Sequence, residues 1–551
     1  MALGAVLRFQ NLNLKPVWLD EVITALFSLG RSYNDVPLEV VFPLDRLQQI
    51  FTLNSAVGCS QIAHNIAAQS THPPLFFCLM HRWAAAPLVG VMAHSWVWTL
   101  RSLPALFGVG AIAAVYWLNA KAFSPTAGLT GAAMMAVSPF AVYLSQEARH
   151  YTLPLLLITL SLLGLIQIQQ DILNRRLQAK VLLSWVMINS IGFYVHYFFI
   201  LAFVAELFTL LGWMYCCRIG IFPATITRKS WVAVWLAIIS VIASSIPWLP
   251  VMVGHSHRSE TNWIPQPHNV APLYQTLASW MLTVIALPTE NQPLWIIVLS
   301  GLVMAAVGGW AIWHVFRGLK QLLSTPTTRL STLTLLSFVF WVLLEFFTIV
   351  YLVGKDITIA PRYNFVYYPA LCALIGASLS YKEGLTKKAP CNLSPSRLLN
   401  NWQTRKFYLL ITSSFLSSVL VVSNLVFQKP FQPQQVAQKM NQQPDIPLMV
   451  VMGYENYQDV ALGLSFGLAL QKVRSGSSPE FAFFKSSDGY DRVWQKLSQL
   501  PPPVSQLNLW VVAPGLRRRD YPHHLALSSQ SCTLDPTQFD RIGVPYQLYR
   551  C

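Results

Sequence analysis

Val17-Trp18-Leu19-Asp20-Glu21 puts two adjacent carboxylates between a short apolar N-terminal segment and a mostly polar stretch that runs to the Pro73-Pro74 pair. Acidic residues are scarce, 22 among 551. Two of them side by side at a membrane edge therefore mark a functional candidate, because charge near hydrocarbon is costly.

Outward from this pair the chain is apolar. Hydrophobic residues make up 54% and charged residues 11%, and the mean hydropathy is +0.45. Apolar runs near 102–119, 127–145, 151–170, 181–196, 198–215, 231–250, 293–315, 333–353, 364–381 and 407–427 read as transmembrane helices. With the N-terminal segment they give an all-α polytopic membrane protein of about eleven spans. The first segment, 1–8, is anomalous, being too short to cross hydrocarbon roughly 30 Å thick. No small-residue cleavage site follows it, so no cleaved leader is expected.

The net charge of +16 does not imply a nucleic-acid partner. In a membrane protein, excess Lys and Arg gathers in cytoplasmic loops. Loops 171–180, 216–230, 316–332 and 382–406 are basic and two spans apart, which puts them on one side, the cytoplasm. Asp20-Glu21, the turn at Glu147–Tyr151, His196-Tyr197, loops 254–292 and 354–363, and everything after 428 then fall outside. The same parity requires that 73–92 not span, and His81-Arg82 in its middle agrees. The alternative is an ordinary span with a snorkelling Arg82.

Chemistry-bearing residues recur at the outer helix ends. They are Thr71-His72-Pro73-Pro74-Leu75, Arg101-Ser102-Leu103-Pro104, Ser138-Pro139-Phe140, Ser145-Gln146-Glu147-Ala148-Arg149-His150-Tyr151, His196-Tyr197-Phe198 and Ala360-Pro361-Arg362-Tyr363. Singly, each reads as an interfacial anchor or aromatic belt. Together they bring carboxylates, three arginines and three histidines to one membrane face.

In this order the motifs resemble the GT-C glycosyltransferases related to glycosyltransferase family 39, which include protein O-mannosyltransferases and lipid A aminoarabinose transferases. The resemblance covers residues 15–215 well and the later spans more loosely. It implies a polyprenyl-phosphate-linked sugar donor, an acceptor hydroxyl and inversion at the sugar carbon. Asp20 matches the family's catalytic acid position and is expected to be the general base. Glu21, its catalytic-pair neighbour, points elsewhere on a helix and is expected to position acceptor or helix. Arg149 is expected to hold the donor phosphate, then Arg362 and Arg101, since a guanidinium fork suits phosphate. His72, Glu147, His196, Tyr197 and Tyr363 are expected to bind substrate. Many relatives carry an acidic residue shortly after the Ser-Arg segment. Here Glu147 stands in its place.

Cys59, Cys78, Cys216, Cys217, Cys372 and Cys391 show no metal-ligand spacing, and no metal or other cofactor is expected. The Cys216-Cys217 pair at a helix end leaves lipidation open. Cys532 and Cys551 stand alone in the C-terminal part, where an external location makes a disulfide the expectation and two free thiols the alternative. Residues 428–444 read as a Gln/Pro-rich linker between a membrane domain, 1–427, and an external α/β accessory domain, 445–551. There, strands are expected at 446–452, 481–485 and 507–513, and helices at 459–470 and 491–500. No phosphate-binding glycine pattern follows the first strand. Loop 254–292 is either a horizontal helix over the site or a passive connector.

The reading is a multi-pass plasma- or inner-membrane glycosyltransferase, its acceptor a glycan, lipid or protein. A lipid-linked saccharide transporter is the alternative. It lacks support from any internal repeat, and the charged groups lie at the outer edge rather than the midplane. A non-catalytic scaffold leaves the external carboxylates unexplained.

Overall fold

The computed structural model describes residues 1–92, 95–222, 224–380, 402–475, 478–500, 506–528 and 530–551. The chain opens with α1 (Ala2–Phe9) and α2 (Leu19–Ser28). Asp20 and Glu21 lie in the first turn of α2, where carboxylates complement the helix dipole. From Glu21 to Ser28 the helix is buried all round.

The polar stretch that follows is folded. It contains β1 (Val41–Pro43), α3 (Arg46–Ile50) and α4 (Cys59–Gln69). Residues 73–92 form two short helices, α5 (Leu75–Ala84) and α6 (Pro87–Met92), neither long enough to span. His81 of α5 bonds the Ser28 carbonyl through Nδ1 at 3.0 Å, which fixes α5 against the end of α2.

Each of the ten later apolar runs is helical: α7 (Trp96–Ala122), α8 (Pro125–Val137), α9 (Pro139–Ser145), α10 (Thr152–Leu173), α11 (Ala179–Phe193), α12 (Phe199–Arg218), α13 (Arg228–Ser245) with α14 (Leu249–Ser256), α16 (Leu294–Ser324), α17 (Pro326–Thr348), α18 (Tyr368–Ser380) and Trp402–Val422; α15 (Ala271–Met281) precedes α16. Eleven spans are not reached among the described residues. Seven helices are long and apolar enough to cross, or eight if α8 and α9 count as one. The shortfall is length: α11 and α18 have 15 and 13 residues, and α1 has eight. At a rise of about 1.5 Å per residue none of the three covers the hydrocarbon thickness. The axes of α8 and α9 differ by 59° at Ser138-Pro139, where the proline ring interrupts the hydrogen-bond ladder.

The C-terminal part holds β2 (Leu448–Tyr454), β3 (Glu480–Lys485), β4 (Asn508–Val512), β5 (His524–Leu527), β6 (Gln530–Ile542) and β7 (Val544–Arg550). Their order is β1-β3-β2-β4-β7-β6-β5. Strands β3, β2 and β4 run parallel, joined through helices Tyr457–Val473 and Tyr490–Ser498, and the rest pair antiparallel. Every residue of β2 is buried, as a strand covered on both faces requires. Two features depart from the expected division. First, β1 reaches into the sheet from the polar stretch after α2. Second, residues 433–440 of the supposed linker form helix Pro433–Met440, which buries Val436, Ala437 and Met440.

Cys532 and Cys551 form a disulfide, and so do Cys59 and Cys78, a pair that spacing did not suggest. Cys216, Cys217 and Cys372 are free thiols. Cys391 and most of the basic loop 382–406 lie outside the described residues. Each bridge spans a sequence separation of 19. Replacing either pair by serines is expected to lower unfolding free energy by about 3 kcal/mol, as closing a loop of this size implies. Thermal unfolding of the purified protein, with non-reducing peptide mapping for the connectivity, checks this.

Candidate active site

Asp20 reaches a cavity at the end of the bundle that carries the sheet. Its carboxylate is 14% exposed and faces two guanidinium groups. Arg149 comes from the turn between α9 and α10, and Arg362 from the 3-10 segment Pro361–Val366 after α17. Arg149 Nε and Arg362 NH2 each lie 3.7 Å from Asp20 Oδ2. At that distance the charges attract without a formed hydrogen bond.

The rest of Arg149 is held firmly. Its NH1 donates to the Asp20 carbonyl and to Thr24 Oγ1, both at 3.0 Å, and its NH2 lies 3.0 Å from His72 Nε2. Guanidinium can only donate, so His72 Nε2 accepts. The His72 proton then sits on Nδ1 and is donated to Ser70 Oγ, 2.9 Å away. Arg149 Nε and Arg362 Nε are both buried with no hydrogen-bond partner. Arg362 lies against the rings of Trp18, Trp263 and Tyr363, at 5.2, 5.3 and 5.5 Å from their centroids.

The cavity encloses about 320 Å³. It brings together Asp20, His72, Arg149, His196, Tyr197, Arg362 and Tyr363, all anticipated from sequence. Further walls come from the 255–264 segment, including Glu260 and Trp263, and from Gln458. Gln458 opens the helix Tyr457–Val473 of the C-terminal part and donates to the Glu260 carbonyl at 2.7 Å. Tyr457 also stacks on Tyr33 at 4.3 Å. Arg258 donates to the carbonyls of Ala67, Ala68 and Ser70 at the end of α4, which holds this segment in place. In loop 254–292 it is therefore residues 255–264 that wall the cavity, whereas α15 does not line it.

His72, His150 and His196 form a row of rings, with centroids 5.3 and 4.5 Å apart. Burial, then the Arg149 charge, pushes His72 and His196 down, His196 to about 3. Burial and the neighbouring His196 push His150 well down too. Burial thus favours the neutral form of each ring. The Phe198 N–H donating to His196 Nδ1 at 2.9 Å fits a ring that accepts there.

Three anticipated residues sit elsewhere. Glu21, Arg101 and Glu147 do not line the cavity but form a buried cluster behind it. Arg101 clasps Glu21 bidentately at 2.8 and 2.7 Å and donates to the carbonyls of Leu12, Lys15 and Pro16. Its donors are spent, so it is corrected from phosphate ligand to structural clasp. Glu21 also accepts from the Ala148 N–H at 2.8 Å; it lies away from the cavity, placed to hold the helix rather than to join Asp20 or touch an acceptor. Burial pushes its carboxyl up, but Arg101 and Lys429 outweigh that and bring it to about 2. Glu147 bonds Lys429 Nζ at 2.7 Å and is corrected from substrate contact to partner of a lysine. Nothing local in the sequence marks Lys429, one of two lysines in a Gln/Pro-rich stretch. Among the described residues, no group of three or more His, Cys, Asp or Glu side chains is placed to hold a metal ion.

A helical membrane bundle joined to an α/β unit is a fold this chain shares with a solved glycosyltransferase. The chain is similar over 99% of its length to ArnT, the aminoarabinose transferase of Cupriavidus metallidurans, crystallised with undecaprenyl phosphate. The match covers 96% of that chain, with a TM-score of 0.55 and 10% identity. The oligosaccharyltransferase of Archaeoglobus fulgidus, crystallised with Zn and sulfate, matches over 85% of this chain and 61% of that one, with a TM-score of 0.43 and 12% identity. No protein-family model and no curated protein sequence matches the chain.

Two outcomes are expected. Arg101→Met strands the Glu21 carboxylate in the interior and should cost about 3–5 kcal/mol, read as lost folded yield or a lowered melting temperature. A histidine held neutral by burial contributes stability above its unfolded pKa near 6.5, and that stability drains away as pH falls toward the folded value. Wild type should therefore lose about 2 kcal/mol through His196 between pH 6.5 and 5. His196→Gln should flatten that part of the pH–stability curve.

Proposed function

We propose that the protein is an inverting membrane glycosyltransferase. It moves a hexosyl or pentosyl unit from a polyprenyl-phosphate donor to an acceptor hydroxyl at the extracytoplasmic face of the cell membrane. The observation that carries the reading is the Asp20 carboxylate between two guanidinium groups whose Nε–H donors are unused, in a cavity large enough for a sugar ring. The undecaprenyl phosphate bound to ArnT supports the lipid class of the donor.

On this reading the acceptor oxygen attacks the anomeric carbon from the face opposite the phosphate, and Asp20 takes its proton. The bond from the anomeric carbon to the phosphate oxygen breaks. The leaving polyprenyl phosphate needs no proton, only countercharge, which Arg149 and Arg362 supply through charge-assisted hydrogen bonds. When the guanidinium groups engage the donor phosphate, the Asp20 carboxylate is left to face the acceptor hydroxyl. Glu21, clasped by Arg101, is not free to serve as a second carboxylate, which supports single displacement over a route through a glycosyl-enzyme.

The test is transfer from a polyprenyl-phosphate sugar, followed by mass spectrometry of lipid and acceptor. Asp20→Asn should lower kcat by about 10²–10⁴-fold, the span of general-base catalysis, with donor binding retained. Arg362→Gln should chiefly weaken the donor. A wild-type protein that carries the lipid-linked sugar across the bilayer without forming a glycosidic bond is a transporter instead.

A further inference from the structure

The segment that joins the last membrane helix to the C-terminal helix Pro433–Met440 is built under strain. Asn424, Phe427, Phe431 and Gln432 have φ of 59°, 53°, 62° and 40°. Asparagine tolerates the left-handed region, but phenylalanine and glutamine occupy it at a cost. Such backbone persists only where its surroundings over-determine it.

Here they do. The Phe427 ring stacks on Tyr143 of α9 at 4.3 Å. The Gln428 N–H donates to Glu290 Oε2 at 2.7 Å, and the Gln428 and Gln432 side chains both bond Asn291. The Phe431 ring fills the space a Cβ would take at Gly543, the φ +77° turn between β6 and β7. The contacts thus tie the segment to the membrane bundle on one side and to the sheet on the other.

What the segment delivers is Lys429. The side chain is buried, with Nζ 2.7 Å from Glu147 Oε1, 3.7 Å from Glu21 Oε2 and 5.8 Å from the centroid of the Trp18 ring. Arg362 lies 5.2 Å from that same ring. With Lys429 present, the cluster behind the site holds two carboxylates, Glu21 and Glu147, and two cations, Arg101 and Lys429. Lys15 is buried beside them with no hydrogen-bond partner, and burial with the Lys429 charge brings it to about 7, so it can sit there neutral.

The turn that carries Arg149 is fixed from this cluster. Glu147 is held by Lys429, the Ala148 N–H by Glu21, and the Arg149 N–H by the Glu147 carbonyl at 2.7 Å. We propose that Lys429 is a positioning residue of the transfer site: it closes the buried Glu21–Arg101–Glu147 cluster and so sets Arg149 against Asp20. This rests on the transferase reading for its effect on rate, but not for its effect on Arg149. Seating the connector between the bundle and the C-terminal domain thereby becomes a condition for an armed site.

The experiment uses the full-length protein in nanodiscs, as wild type, K429R, K429M and the charge-balanced double variant E147Q/K429M. Two quantities are read: kcat and KM for sugar transfer per folded enzyme, and phenylglyoxal labelling of Arg149 by peptide mass spectrometry. K429M should lower kcat by about 100-fold, the scale of a misplacement near 1 Å, and raise Arg149 labelling. K429R, which keeps the charge, should lie closest to wild type. Should K429M not fold, the double variant carries the test. It is expected to fold, with Arg149 more labelled and kcat reduced, because the turn has lost its anchor without leaving a buried charge. Wild-type labelling of Arg149 in K429M or in the double variant overturns the proposal. So does a wild-type kcat in either. If the wild-type protein transfers no sugar, the transferase reading falls and the labelling alone decides the role of Lys429.

Discussion

The structure depends on one buried ion pair. Glu21 and Arg101 are both buried, joined by a two-pronged contact, and Arg101 also takes up the carbonyls of Leu12, Lys15 and Pro16. Taking two charges out of water is expensive, and only such complete satisfaction makes it tolerable. The pair ties the chain before α2 to α7 and, through the Ala148 N–H, to the turn between α9 and α10. Asp20 is the next residue along the helix, so wherever Glu21 is locked, Asp20 is aimed. The immobile acid thus orients the one that faces the cavity.

The cavity follows the opposite rule. Asp20, Arg149 and Arg362 approach without closing, and two guanidinium Nε–H groups stay unused. A protein seeking only stability would close these contacts; on the proposed function they are left for the donor phosphate. The neutral histidine row on one wall adds polar donors and acceptors without adding charge. The charge of the cavity is thus left to the two arginines, the Asp20 carboxylate and Glu260.

Much of this was legible because helix ends in a membrane protein are marked twice, by the end of an apolar run and by the polar residue placed there. Seven anticipated residues, from Asp20 to Tyr363, converge on one cavity for that reason. Which polar residue pairs with which was not legible. Arg101 and Arg149 look alike as helix-end arginines, and only packing shows that one has spent its donors on Glu21 and the backbone. Glu147 and Lys429 lie 282 positions apart, and no local pattern links them. β1 joined the sheet from a stretch whose composition reads as loop, because three residues on a sheet edge need a partner strand more than a pattern of their own. The eleven-span count is not confirmed among the described residues, where α11 and α18 are apolar but run to only 15 and 13 residues.

The central claim is that lipid-borne phosphate binds between Arg149 and Arg362, against Asp20. A cryo-EM structure of the full chain in nanodiscs with undecaprenyl phosphate tests it most directly. The account requires phosphate density within hydrogen-bonding reach, about 3 Å, of both Nε atoms, with Asp20 released from at least one arginine. Phosphate bound at the far end of the helices, or in the cavity but away from both guanidinium groups, would contradict it.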